Sequence, residues 1–218
     1  MEKEERKETS KIVNNPDYVK DGLDILKNIF KKPVDTIAKY SNSENFTLGL
    51  ILMGIGSLLT GIILYFVIKE IIKSSSLGLY GYALGMSSNA LKDQAFKIII
   101  MATLYMVAYF AVVASMLHVF AGPVFKVKGS DIRKTFALVG ASSVILSVVV
   151  LVSGIAVFIN GTLAAILFVL GSMIFNYALY HSYFEVIKVD KNKVIYAFTG
   201  TIAVAMFIVG YLLPKILN

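Results

Sequence analysis

The chain has 218 residues and is 57% hydrophobic before its 16 glycines are counted, against ~45–50% with glycine included in soluble domains. Charged residues make up 16% of it, mean hydropathy is +0.74, and soluble chains carry about 25% charge. Composition therefore excludes a soluble globular domain and indicates an integral membrane protein. The absence of cysteine excludes disulfides, Cys-ligated zinc, iron–sulfur clusters and thiol catalysis.

The net charge of +7 is unevenly placed: residues 1–45 hold nine Lys/Arg and nine Asp/Glu, residues 46–218 hold twelve and five. The excess lies between apolar runs, which is how membrane proteins are oriented. No basic stripe interleaved with aromatics appears, so no nucleic-acid partner is expected.

In chain order, residues 1–16 are charged and aperiodic and are expected to be a disordered polar tail. No apolar signal core occurs there, so the first span is expected to act as its own uncleaved insertion signal. Residues 17–45 read as an amphipathic juxtamembrane segment. Leu23, Leu26, Ile29 and Phe30 recur at helical spacing beside Lys27, Lys31 and Lys32. Such a segment either lies on anionic lipid or packs on the ends of the spans, and the two are compatible.

The membrane domain, residues 46–218, contains five apolar runs at about 46–68, 98–120, 136–159, 162–184 and 194–213, none with an Asp, Glu, Lys or Arg. Each reaches the ~20 residues needed to cross a ~30 Å hydrocarbon core, and in lipid the backbone demands helix even at Val148-Val149-Val150. The predicted fold is all-α: a polytopic membrane protein of five transmembrane helices with a cytoplasmic amphipathic N-terminal segment. With the N-terminus cytoplasmic, the inner flanks carry eleven Lys/Arg and the outer flanks five, so the expected topology is a multi-pass cell-membrane protein with its C-terminus outside. Asn160-Gly161 is a breaker pair that forces a helical hairpin, and Gly122-Pro123 is expected to end the second span. Residues 74–95, rich in Gly, Tyr and Ser, read as an interfacial segment or a re-entrant one.

Little in the chain carries chemistry. No phosphate-binding, nucleophile-elbow or zincin motif is present, and no carboxylate pair lies within the spans. A non-enzymatic protein without cofactor or metal is expected. His118, Asn176, Tyr177 and His181 form a candidate intramembrane polar cluster, because Tyr177 and His181 share a helix face and both histidines lie near inner span ends. Small residues at four-residue spacing, such as Ser57/Gly61, Ala137/Ala141, Ser143/Ser147 and Ala197/Thr201/Ala205, predict close helix packing or a homo-oligomer.

The sequence Phe30-Lys31-Lys32-Pro33 before the first span and the stretch from Phe125-Lys126-Val127-Lys128-Gly129 to Leu138, with five spans and a tight hairpin between the third and fourth, resemble the Yip family of Rab-interacting membrane proteins. The resemblance implies an all-helical five-span fold and, for eukaryotic members, vesicle traffic. Usage rich in Lys, Asn and Ile without Cys or Trp points to a bacterial member, where Rab partners are not expected. The functional expectation is a membrane scaffold, adaptor or membrane-organising protein, with Phe30, Lys31, Lys32, Pro33, Lys126, Lys128, Arg133 and Lys134 contacting anionic lipid or a protein partner. The alternative is a permease, channel or lipid-handling subunit using the 74–95 segment and the Asn176/Tyr177/His181 face.

Overall fold

The computed structural model describes residues 17–73, 94–212 and Lys215. The expected disordered tail 1–16 and nearly all of the segment 74–95 lie outside the described residues. Two short helices, α1 (Tyr18–Asn28) and α2 (Pro33–Tyr40), precede five long ones. These are α3 (Phe46–Lys73), α4 (Ala95–Val119), α5 (Ile132–Val157), α6 (Gly161–Ile187) and α7 (Lys191–Phe207). Wider π-type turns, Phe120–Val124 and Ile208–Leu212, prolong α4 and α7. The protein is all-α among the described residues, and all five long helices are long and apolar enough to cross a membrane.

The helices overrun the apolar runs, and polar caps explain where they begin. Asp131 accepts a hydrogen bond from the Arg133 N–H at 2.9 Å, so α5 starts at Ile132 and takes Arg133 and Lys134 into its first turn. These two residues are helical rather than part of the preceding loop. Asp190 caps α7 in the same way, through the Asn192 N–H at 2.9 Å. The predicted hairpin is present: Asn160 accepts from the Thr162 and Leu163 N–H groups at 2.8 and 3.1 Å and starts α6 at once.

The second span does end at Gly122-Pro123, closing at Val124, four residues beyond the apolar run. The helix closes there by widening, with the Phe125 N–H donating to the Phe120 carbonyl five residues back. Proline lacks an N–H and its ring crowds the carbonyl four residues earlier. A π-type turn accommodates both as the helix terminates.

Helix α5 is the axis. Of its most apolar stretch 61% is buried, against 17–28% for the other four spans. It packs on α3, α6 and α4, while α7 lies mainly on α4. Its contact with α3 is a parallel seam of small residues repeating every seven positions. Gly49 meets Gly140 and Ala137, Gly56 meets Ser147, and Ile63 meets Gly154. A β-carbon on Gly49 would lie 2.8 Å from the Ala137 Cα, and one on Gly140 would strike the Gly49 backbone itself. Bare backbone is the only fit there. Van der Waals contact replaces the hydrophobic effect as the force between helices in lipid, so such close approach is what holds them. Of the predicted small positions, Ser57, Gly61, Ala137, Ala141, Ser143, Ala197, Thr201 and Ala205 are buried and Ser147 is half-buried. Tyr183 ties α6 to α4, its hydroxyl donating to the Leu117 carbonyl at 2.8 Å.

Gly140→Ala should destabilise the bundle by about 1–3 kcal/mol through backbone overpacking. Gly54→Ala, where nothing lies within 4 Å, should be neutral or stabilising by up to ~1 kcal/mol. Thermal unfolding of the two variants in detergent separates these outcomes.

Candidate functional site

Helices α1 and α2 cap the end of the bundle where α3, α5 and α7 begin and α4 and α6 finish. Asp17 caps α1 through the Lys20 N–H at 3.1 Å, and Pro33 occupies the first turn of α2. On α1, Ile25 and Ile29 are fully buried and join the main core. A second apolar stripe, Val19, Leu23, Leu26 and Phe30, is between 49% and 74% exposed. At ~100° per residue the stripe is narrow, lies about 110° from the buried face, and is flanked on its other side by Lys20, Lys27 and Lys31. Both arrangements expected for this segment are therefore compatible with one helix: one face packs on the bundle, and the other pairs apolar groups with lysines.

A polar clasp fixes α1 to α2. Asp24 accepts from Lys39 Nζ at 2.8 Å, from the Tyr40 hydroxyl at 2.7 Å and from Asn28 Nδ2 at 2.9 Å. The hydrogen bond from Lys39, then that from Tyr40, holds the Asp24 carboxyl below its ordinary value. The same bond holds the Lys39 ammonium above its own.

Lys39–Asp24 is the only ion pair among the described residues. Three further carboxylates at this end, Asp17, Asp131 and Asp190, serve as helix caps and accept from backbone N–H groups, where the helix dipole favours them, while Asp21, Asp35, Glu44 and Glu185 form no ion pair among the described residues. Among the described residues, twelve Lys/Arg against eight Asp/Glu leave this end with an excess of cations. Lys31, Lys32, Lys126, Lys128, Arg133 and Lys188 are exposed and Lys134 is half-buried. Lys193 reaches over the Phe125 ring, 5.8 Å from its centroid, and draws the 125–130 loop to the α6–α7 turn. Lys126 and Lys188 both sit in the left-handed region, at φ 54° and 57°, where glycine or asparagine is favoured. A side chain with a β-carbon costs about 1–2 kcal/mol in that conformation, so these lysines occupy positions that backbone stability alone would give to glycine.

Of the residues predicted for this face, Phe30, Lys31 and Lys32 form the α1–α2 turn and Pro33 opens α2. Lys126 and Lys128 lie in the loop after α4, and Arg133 and Lys134 in the first turn of α5. All are at one end of the bundle.

The predicted polar cluster is divided. Asn176 donates to the Ser172 carbonyl at 2.8 Å. Tyr177, 61% exposed, points outward and lies against His181 in a tilted arrangement, with ring centroids 4.2 Å apart. Adjacent residues on a helix diverge by ~100°, which parts Asn176 from Tyr177. His118 has Ser130 Oγ 3.4 Å from its Nδ1. No hydrogen bond joins any of the four to another among the described residues. No group of three metal-ligating side chains is present among them either.

Hydropathy gave no sign of a cavity of about 640 Å³ in the other half of the bundle, lined from all five long helices. Thr60 and Ile63 of α3, Tyr109 of α4, Ser153 of α5, Asn176 of α6 and Met206 of α7 contribute. The lining is overwhelmingly apolar. Residues facing a cavity and residues facing lipid have the same composition, so only the packing distinguishes them.

Fold and site together define a polytopic helical membrane protein with a capped, cationic end. Residues 17–215 match the family described as domain of unknown function DUF6574, and the chain belongs to that family. Comparison with curated proteins returns no match, and comparison with solved structures returns none either.

Two outcomes follow from the capped end. Asp24 titrates below the ordinary carboxylate value of ~3.9, so its clasp is intact above that pH and is lost as pH falls through the depressed value. Amide exchange of residues 18–28 should be flat from about pH 5 to 8, after correction for intrinsic rates, and should rise below about pH 4. Lys188→Gly should raise stability by about 0.5–1 kcal/mol in thermal unfolding, by relieving the left-handed lysine.

Proposed function

We propose that the protein is a non-enzymatic membrane scaffold or adaptor, residing in the plasma membrane with its α1–α2 end cytoplasmic. Its working face is the α1 stripe together with the 125–134 segment. One observation carries this reading: among the described residues at this end twelve Lys/Arg face eight Asp/Glu, a single ion pair forms, and exposed lysines stand beside exposed apolar groups. Such a surface fits an anionic leaflet, with the stripe among acyl chains and the lysines at headgroup level. It also fits an acidic segment of a protein partner resting at the same level. The excess of cations at this end supports the orientation.

The likeness of residues 30–33 and 125–138 to the Yip family agrees with a membrane-organising role. That kinship is proposed here for layout alone, with no Rab partner. A lipid-handling role is the second reading, and the apolar cavity favours it.

The test compares thermal unfolding in nanodiscs of phosphatidylglycerol and of phosphatidylcholine. The wild type should be more stable in the anionic discs, by a margin that shrinks with salt. The variant with Lys31, Lys32, Lys126 and Lys128 changed to Glu should lose that margin while unfolding normally in phosphatidylcholine. An unchanged margin would refute lipid engagement by this face. In-cell crosslinking through residues 17–40 then reports whether a protein partner shares it.

A further inference from the structure

We propose that the cavity holds one acyl chain of a membrane lipid, taken from the leaflet opposite the α1–α2 end. This deepens the lipid-handling reading and is independent of the cationic face.

A volume of about 640 Å³ lies within the ~300–1,000 Å³ of small-molecule sites. It is open at its side rather than enclosed, because the lining residue Phe168 is 47% exposed, so its occupant comes from the hydrocarbon around the helices. Water is a poor occupant. Each buried water needs two to four polar partners, and the lining has few to give. Thr60 already donates to the Gly56 carbonyl at 2.8 Å, and Asn176 to that of Ser172 at 2.8 Å. Lining residues carry no charged side chain, which disfavours an ion or hydrated solute.

Shape selects a chain. The α6 lining runs from Gly161 to Asn176, about 22 Å of helix axis at ~1.5 Å per residue. A sphere of 640 Å³ would be only about 11 Å across, so the space is elongated along the membrane normal. Helical periodicity directs Ala165, Phe168 and Ser172 into it and Ile166, Leu170 and Met173 away from it. The former three line the cavity, Ser172 half-buried and Ala165 and Phe168 at its open side, and the latter three are exposed on another side of α6.

One polar group asks for a partner. Ser153 lines the cavity, is 6% exposed, and its hydroxyl has no hydrogen-bond partner. It lies one turn from the end of α5, near the level where a leaflet's ester carbonyls lie. An acyl ester supplies an acceptor there and hydrocarbon below it.

The test places the protein in nanodiscs doped with phosphatidylglycerol carrying a diazirine in one acyl chain, and maps photo-adducts by mass spectrometry. Adducts on Ala165, Phe168 and Ser172 should exceed those on Ile166, Leu170 and Met173 by about tenfold, the ratio a modest site preference produces. Equal labelling of the two faces, as annular lipid gives, overturns the proposal. Ala165→Phe should remove the cavity adducts and spare the outward ones, and persistence of cavity labelling in that variant also overturns it. Should that variant not fold, the wild-type ratio still decides. A parallel arm with diazirine palmitate separates the source: cavity labelling by the free acid but not by the phospholipid refutes a membrane-lipid occupant. The four-lysine variant should keep the cavity pattern, so failure of the cationic face and failure of this site are distinct results.

Discussion

The structure depends on one steric fact: near the α1–α2 end, the backbones of α3 and α5 touch. Gly49 and Gly140 leave no room for a methyl group between them. The seven-residue repeat then carries the two helices along each other in parallel, and the seam opens by steps. Hydrogen faces hydrogen at the first contact, the Ser147 side chain lies against Gly56 at the second, and Ile63 lies against Gly154 at the third. In lipid, where burying apolar area gives no net drive between helices, this graded contact is what a bundle has to work with.

That taper accounts for both candidate sites. At the tight end, the helix termini converge closely enough for α1 and α2 to lie across them, with Ile25, Ile29, Ile37 and Tyr40 sharing one core with residues of the spans. At the open end, Ile63 and Gly154 are themselves cavity-lining residues. The cavity therefore begins where the seam changes from backbone contact to side-chain contact. A compact, charged end and a loose, greasy interior are two results of the same helix crossing.

The spans and the Asn160 hairpin are legible in the sequence because each rests on a local rule, the length of an uncharged run or the chemistry of a cap. Boundaries are less legible. Hydropathy is blind to a helix turn containing Arg133 and Lys134, and Asp131 signals that turn only through its capping role. Four-residue spacing correctly marks Ala137 and Ala141 as buried, yet Gly49 and Gly140 escape notice, because their shared offset has meaning only once α3 and α5 are known to be partners. Tyr177 and His181, four residues apart, lie against each other as a shared helix face implies, while Asn176 is turned about 100° from Tyr177. Tyr183, whose hydroxyl bridges two helices, carries no sequence signal that separates it from the eleven other tyrosines.

The parallel pairing of α3 with α5 also sets a timetable for assembly. Two consecutive spans are antiparallel, so the first helix cannot meet a parallel partner until the third has been made. Gly49 leaves the ribosome 91 residues ahead of Gly140, a wait of about 5–18 s at ~5–20 residues per second. During that interval the small-residue face of α3 has no partner from its own chain. The nascent protein must hold this groove against lipid, the insertion machinery or a neighbouring chain, which makes the period before α5 emerges the window in which misassembly begins.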